Sequence, residues 1–181
     1  MSVNKNIPLA VKSFKQFTLS LSKNKRQDHL LVVAGGYDDS VVENVEHYEE
    51  LTALSEGIDN IKFLRSISNE QRLTLLEHSD ILLYTPENEH FGIVPVEAMF
   101  MGCIVLACNS GGPTESILDT KTGFLLPPND IEKWSAQIKE ILNYKRDSEK
   151  LVKIKQQSKQ RVIDTFSFEQ FSSKLVEFVL G

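Results

Sequence analysis

Short apolar runs alternate with helical patterns along most of this chain, and this alternation constrains the fold more than any other feature. The runs cover residues 30–34, 61–64, 81–85, 104–107 and 123–126. Most of their residues are apolar, although Lys62 and Thr85 are not, and short runs of this kind are typical of buried strands. Because parallel strands need crossover helices that cover the sheet, the pattern predicts an α/β fold with a doubly wound parallel sheet.

Apolar residues recur at helical spacing before, between and after these runs. The first helix is predicted from Ala10, Phe14, Phe17 and Leu21, and others are predicted near residues 41–48, 71–78, 96–101 and 113. Two C-terminal apolar faces are predicted from Ile131, Trp134, Ile138 and Ile141 and from Phe168, Phe171, Leu175 and Val179. We interpret the lysine-rich helix between them, at residues 148–164, as a solvated face.

Composition narrows the classes of function. The 181 residues suit one domain, and the net charge of −5 with dispersed lysines argues against a nucleic-acid partner. No apolar run approaches the length of a membrane span, and no signal-peptide pattern precedes the first helix, so we expect a soluble domain. Cys103 and Cys108 are predicted to be reduced core residues on opposite faces of a strand.

Ligands of open parallel sheets bind beyond the carboxyl ends of the strands, so the loops that follow the strands are the candidate site. These loops lie at residues 35–39, 65–68, 86–94 and 109–113. In the third, Gly92 permits close backbone approach and Pro95 suits the first turn of a helix. The N-terminus of that helix would offer free amides to a phosphate, flanked by Glu89 in the loop and Glu97 in the first turn.

Several residues in or next to these four loops also have a simpler, structural interpretation. Glu97 would complement the helix dipole, and Glu89 would be a solvated loop residue. Gly112 would belong only to a turn that opens a helix. Asp38 and Asp39 form an incomplete ligand set, and we expect no metal.

Glu89 and Glu97 are separated by seven residues, and residues 89–99 resemble the acidic signature of the retaining GT-B glycosyltransferases. Residues 31–36, 109–115 and 122–125 accompany this signature in the order of that family. Residues 32–38, 43–48 and 84–95 are similar, more narrowly, to the mannosyltransferases of dolichol-linked oligosaccharide assembly.

The resemblance implies a Rossmann-like C-terminal half of a GT-B fold. Residues 1–181 would be a single nucleotide-sugar-binding domain, a fragment of a longer enzyme whose N-terminal acceptor domain is absent. The whole enzyme would transfer α-1,3 and α-1,6 mannose from GDP-mannose to a dolichol-diphosphate-linked oligosaccharide, for N-glycosylation, on the cytosolic face of the endoplasmic reticulum. The lipid-linked acceptor would bind through the missing domain, and the isolated fragment would be inactive.

The resemblance also implies roles for individual residues. Glu89, against the donor sugar, and Lys5, on the phosphates, would be the catalytic residues. Glu97 would bind the ribose hydroxyls. The remaining donor-binding residues would be Gly35, Arg65, Ser66, His90, Phe91, Gly92, Ile93, Val94 and Gly112. The family's partner arginine falls at or before Met1, and no cofactor is implied.

Alternatives remain at this stage. Without the resemblance, Lys5 would be a solvated residue, and His90 would only make hydrogen bonds within its loop. The donor would be a UDP-sugar in one alternative, and the chain would be a nucleotide-binding or interaction module without activity in another. A dehydrogenase is disfavoured, because no Gly-x-Gly-x-x-Gly follows the first strand.

Overall fold

The structure is a computed structural model that describes residues 5–144 and 148–180. The position at or before Met1, where the partner arginine was expected, lies outside these residues, and so do the side chains of Phe171, Leu175 and Val179. The strands are β1 (Leu31–Gly35), β2 (Ile61–Arg65), β3 (Ile81–Tyr84), β4 (Ile104–Cys108) and β5 (Phe124–Leu126). The helices are α1 (Ile7–Leu19), α2 (Lys23–Arg26), α3 (Val42–Leu54), α4 (Asn69–His78), α5 (Ile93–Met101), α6 (Pro113–Ser116), α7 (Ile131–Asn143), α8 (Glu149–Phe166) and α9 (Phe168–Leu180).

The predicted alternation of strands and helices is confirmed, with one boundary that changes the site. α5 begins at Ile93, three residues before the predicted start, because Gly92 caps it in the left-handed conformation with φ 73°. Pro95 therefore lies in the first turn, as predicted. Glu97 lies in the second turn, so its predicted place in the first turn was wrong.

The strands are all parallel, and their hydrogen bonds divide them into two groups. β1 pairs with β2, with Leu31 opposite Ile61 and Gly35 opposite Arg65. The second group has the order β3–β4–β5. This division is not visible in the sequence, which predicted one parallel sheet without a strand order.

Helices cover both faces of the strands, which confirms the doubly wound architecture. β4 is buried along its whole length. Ile104, Leu106 and Cys108 face a core with residues of α1 and α7, whereas Val105 and Ala107 face a core with residues of α5. Each large apolar side chain buried in this way contributes about 1.5–3 kcal/mol, so β4 anchors the fold from both sides.

The two cysteines follow the prediction made from their spacing. Both are free and buried, and Cys103 lies in the core that contains α5, whereas Cys108 lies in the core that contains α1. Among the described residues, no helix is both long enough and apolar enough to cross a membrane.

Candidate functional site

The parallel strands bring the predicted loops together in two pairs at their carboxyl ends. β1 and β2 end in register, and we call residues 36–41 and 66–68, which follow them, the tyrosine loop pair. β3 and β4 also pair in register, and we call residues 85–92 and 109–112 the glycine-locked loop pair. Ligands of open parallel sheets bind at this edge.

The glycine-locked loop pair is held by backbone packing. The amide of Gly112 donates to the carbonyl of Glu89 at 2.7 Å. A Cβ atom at Gly112 would overlap the backbone of Phe91, and one at Gly111 would overlap Glu89. The packing explains why glycine occupies these positions, whereas the contact of Gly112 with a donor stays a prediction.

The N-terminus of α5 emerges from this loop pair. Its cap, Gly92, has no side chain to satisfy the first amides. A Cβ atom at Gly92 would lie 3.1 Å from the Tyr84 hydroxyl, so the loop fits closely over β3. The amides of Ile93 and Val94 are at the positive end of the helix dipole, which favours an anion.

Apolar side chains stand exposed around this helix end. Phe91 is 45% exposed and Ile93 is 60% exposed. The ring of Phe91 meets the ring of Phe166, at the end of α8, edge to face, with 5.6 Å between the centroids. His90, which precedes Phe91, is exposed to solvent.

Glu89 is half-buried, and its carboxylate interacts with the Tyr84 phenol at the end of β3. Burial raises the pKa of the Tyr84 phenol, and the hydrogen bond and charge of the Glu89 carboxylate raise that pKa further. A phenol that stays protonated donates its hydrogen bond to the carboxylate. Tyr84 therefore anchors Glu89 at the mouth of the glycine-locked loop pair.

Lys5 reaches the same loop pair from the start of α1. The Thr85 hydroxyl donates to the Lys5 carbonyl at 2.8 Å. Asn6 adopts the left-handed conformation with φ 44°, which asparagine tolerates better than most residues. Its side-chain amide donates to Glu87 Oε1 at 3.0 Å and to the Pro128 carbonyl at 3.3 Å. These contacts fix the backbone of Lys5 beside the loop and leave its side chain exposed.

Glu97 lies in α5, and its carboxylate contacts Arg72 of α4 instead of complementing the dipole of its own helix. Arg72 Nη2 donates to Glu97 Oε1 at 3.0 Å, and Nη1 lies 2.8 Å from Oε2. The exposed fractions of the two side chains are 32% for Arg72 and 24% for Glu97. Arg72 was not predicted as a site residue, and only its place in the helix that follows residues 65–68 pointed to the site.

The tyrosine loop pair is held by side chains. The Ser66 hydroxyl donates to the Tyr37 carbonyl at 2.9 Å and accepts from the Tyr37 amide at 3.2 Å. The Ser66 amide donates to the Gly35 carbonyl at 2.8 Å. The Arg65 guanidinium lies 4.8 Å from the ring centroid of Tyr37 and 5.3 Å from that of Tyr48.

The structure thus divides the predicted site residues between two places. Those at the glycine-locked loop pair are Lys5, Glu89, His90, Phe91, Gly92, Ile93, Val94 and Gly112. Those at the tyrosine loop pair are Gly35, Arg65 and Ser66, and the ion pair of Glu97 with Arg72 joins α5 to the helix that follows this second pair. Tyr84 and Tyr37, which anchor the two places, stood within the quoted motifs but received no role. In the described part of the chain, no three metal-ligating side chains cluster.

The sequence profile of the family described as glycosyl transferases group 1 matches residues 1–161. The chain belongs to this family. Curated relatives carry the name alpha-1,3/1,6-mannosyltransferase ALG2. The Mus musculus and Homo sapiens proteins are each 42% identical over 178 residues, which are 97% of this chain and 42% of the relative. The chain therefore spans about two fifths of the length of these relatives.

Solved structures of other proteins share the fold. The Anabaena protein Alr3699/HepE, in complex with UDP and glucose, has a TM-score of 0.81 at 19% identity and covers 99% of this chain and 46% of its own. The C-terminal domain of a glycosyl transferase group 1 family protein (LpcC) from Francisella tularensis has a TM-score of 0.76 at 22% identity, over 93% of this chain and 83% of its own. The predicted fold class, the Rossmann-like C-terminal half of a GT-B glycosyltransferase, is confirmed.

Proposed function

We propose that this chain is the donor-binding part of an enzyme that transfers mannose from GDP-mannose to a dolichol-diphosphate-linked oligosaccharide, through α-1,3 and α-1,6 linkages, during N-glycan precursor assembly. The single observation that carries the proposal is that the backbone of Lys5, the loop that contains Glu89 and the uncapped N-terminus of α5 come together at the glycine-locked loop pair. The mannosyltransferase name of relatives that are 42% identical supports the choice of sugar.

The chemistry of these residues suits a leaving diphosphate. When the bond between the sugar anomeric carbon and the diphosphate breaks, negative charge accumulates on the phosphate oxygens. The Lys5 ammonium and the amides of Ile93 and Val94 would stabilise that charge. Glu89, anchored by Tyr84, would hold hydroxyls of the donor sugar, because a carboxylate accepts hydrogen bonds from a diol.

The remainder of the donor would lie toward the tyrosine loop pair. Glu97 would accept hydrogen bonds from the ribose hydroxyls, and residues 65–66 would border the base. Transfer with retention would then follow a front-face course. The acceptor oxygen bonds to the anomeric carbon on the face that the diphosphate leaves, and its proton passes to a phosphate oxygen of the leaving group.

We assign the acceptor site to a part of the enzyme outside this chain, and the site of action to the cytosolic face of the endoplasmic reticulum membrane. The chain alone would bind donor without turnover, because one wall of a cleft does not position an acceptor. Measuring mannose transfer by this chain and by the full-length protein tests this assignment. Transfer at equal rates would overturn it.

A UDP-sugar donor is the second candidate. The observation that favours it is that the Anabaena fold neighbour was solved with UDP-glucose. The Lys5 ammonium and the amides of Ile93 and Val94 would serve either donor equally, because the diphosphate is common to both. The two candidates differ at the base, which would lie next to Tyr37 and Arg65, and at the sugar, which Glu89 would hold.

Calorimetric titration with GDP, GDP-mannose, UDP-glucose and NAD tests the proposal. We expect selective binding of the guanine nucleotides, weakened about tenfold or more in Lys5→Gln, because a charge-assisted contact to phosphate is lost. Lys153→Gln, which removes an exposed lysine of α8, is the matched control and is expected to bind as the unsubstituted chain does. Preference for UDP-glucose would change the donor, and preference for NAD would overturn the proposal.

A further inference from the structure

Arg72 occupies a fixed position one turn into α4. The helix starts with a reciprocal capping arrangement in which the Ser68 hydroxyl accepts from the Gln71 amide and the Gln71 side chain accepts from the Ser68 amide. The Arg72 amide donates to the Ser68 carbonyl at 2.9 Å. A capping box of this kind defines the first turn of a helix. The backbone from which the Arg72 side chain extends is therefore fixed relative to the loop at residues 66–68.

The guanidinium holds the Glu97 carboxylate by two contacts. One is the hydrogen bond from Nη2 to Oε1 at 3.0 Å, and the other is the approach of Nη1 to Oε2 at 2.8 Å. An arginine that grips both oxygens fixes the plane of a carboxylate as well as its position. A lysine would act only as a point charge and would leave that plane free to rotate.

One carboxylate oxygen keeps unused acceptor capacity. Glu97 Oε2 is buried and, within the described residues, receives no aligned hydrogen bond, although the guanidinium charge lies close to it. Arg72 Nε is likewise buried without a hydrogen-bond partner among the described residues, so this side of the ion pair is closed to solvent. A ligand hydroxyl would therefore reach the carboxylate through the exposed part of the Glu97 side chain, which is 24% exposed.

We propose that Arg72 is the positioning residue for ribose recognition, which orients the Glu97 carboxylate so that its exposed side accepts a hydrogen bond from the ribose diol. The inference rests on the proposed donor-binding function. Arg72 itself does not touch the donor. It acts through Glu97, and it couples α4, which follows the tyrosine loop pair, to α5, which follows the glycine-locked loop pair.

The test compares GDP with 2′,3′-dideoxy-GDP, which lacks the diol that Glu97 would bind. Affinities of both nucleotides are measured by calorimetry for the unsubstituted chain and for Arg72→Gln, Arg72→Lys and Glu97→Gln. We expect the unsubstituted chain to prefer GDP by about tenfold or more, the value of a hydrogen bond to a charged group. Arg72→Gln is expected to lose most of that preference while binding the dideoxy nucleotide as the unsubstituted chain does.

A merely structural role would give a different pattern. If Arg72→Gln weakens both nucleotides by the same factor, the inference is overturned. Adding Arg72→Gln to Glu97→Gln is expected to cause no further loss, because both substitutions remove one interaction. Lys150→Gln, which breaks the exposed ion pair with Glu140 at 2.8 Å, is the matched control and is expected to keep the full preference.

The remaining outcomes separate the inference from the proposed function. If the unsubstituted chain binds GDP but does not distinguish it from the dideoxy nucleotide, the inference fails and donor binding stands. If GDP does not bind at all, both fail. Should Arg72→Gln not fold, Arg72→Lys carries the test, with an expected loss of about threefold in preference because the planar fork is gone.

Discussion

The two loop pairs at the carboxyl edge are built in different ways. In the glycine-locked loop pair, Gly112 lies so close to Phe91 that no larger side chain fits, and β4 behind it is wholly buried. In the tyrosine loop pair, Gly36 has open space around it. There, the Ser66 hydroxyl connects the two loops, and Arg65 at the end of β2 packs against the rings of Tyr37 and of Tyr48 in α3.

The difference indicates that the two loop pairs serve different parts of one ligand. Backbone packing against a buried strand gives little freedom, which suits a diphosphate whose geometry is the same in every donor. Side-chain contacts at a more exposed edge are easily exchanged, which suits the part of a donor that varies. We therefore expect substitutions in the first pair to affect folding and substitutions in the second to affect ligand choice.

The largest expected effect is on the free energy of unfolding, and it differs between the glycines of the two loop pairs. Gly112→Ala is expected to lower the free energy of unfolding by about 1–3 kcal/mol, because the new Cβ atom overlaps the backbone of Phe91. Gly36→Ala, in the tyrosine loop pair, is the matched control and is expected to change it by less than about 0.5 kcal/mol. Urea denaturation of both variants measures this, and equal effects would remove the contrast between the pairs.

The tyrosines of the two pairs provide a smaller contrast. Tyr84→Phe removes a buried hydroxyl that serves Glu89 and is expected to lower the free energy of unfolding by about 1–2 kcal/mol. Tyr37→Phe keeps the ring against Arg65 and is expected to cost less than about 0.5 kcal/mol. Thermal denaturation of the two variants checks the order, and a larger loss for Tyr37→Phe would contradict it.

Alkaline pH is expected to lower the stability of the protein through Cys108, which lies at the end of β4 beneath the glycine-locked loop pair. The buried Cys108 thiol donates to the Thr85 carbonyl at 3.3 Å, and burial raises its pKa from 9.0 to about 12. The unfolded thiol ionises first, so the stability from this group is complete below pH 9 and is lost as the pH rises toward 12. Thermal melts from pH 7 to pH 11 are expected to show this decline.

Cys108→Ala serves as the control for the alkaline decline, because it removes the thiol near Thr85. The slope against pH is expected to become shallower in this variant. Burial also raises the pKa of the Cys103 thiol to about 12, so part of the slope is expected to remain. An unchanged slope in Cys108→Ala would show that the thiol does not contribute.

The smallest expected effect belongs to the tyrosine loop pair. Arg65→Gln removes the guanidinium from the rings of Tyr37 and Tyr48 and is expected to cost about 0.5 kcal/mol. Its expected signature is local, with faster hydrogen exchange in residues 36–41 and a changed ratio of GDP to UDP affinity. Lys62→Gln, at an exposed position of β2, is the control, and a global loss of protection in Arg65→Gln would contradict the local role.

The elements of the fold were readable from the sequence because burial on both faces leaves continuous apolar strands and regular helical spacing. The start of α5 was not readable, because it depends on how Gly92 fits over Tyr84. The position of Glu89 followed from its place in the loop after a strand, whereas that of Lys5 was implied only by the resemblance to the glycosyltransferases. The pairing of Glu97 with Arg72 did not, because it depends on how α4 packs against α5, and no local pattern records that contact.

The most direct test of the account is a titration of the chain with GDP-mannose followed by backbone amide resonances in NMR. We predict that the largest shifts fall at residues 91–94 and at residues 35–37 and 65–66, and that α7 (Ile131–Asn143) is unaffected. Shifts concentrated at the surface depression of residues 127–132, with none at residues 91–94, would contradict the account.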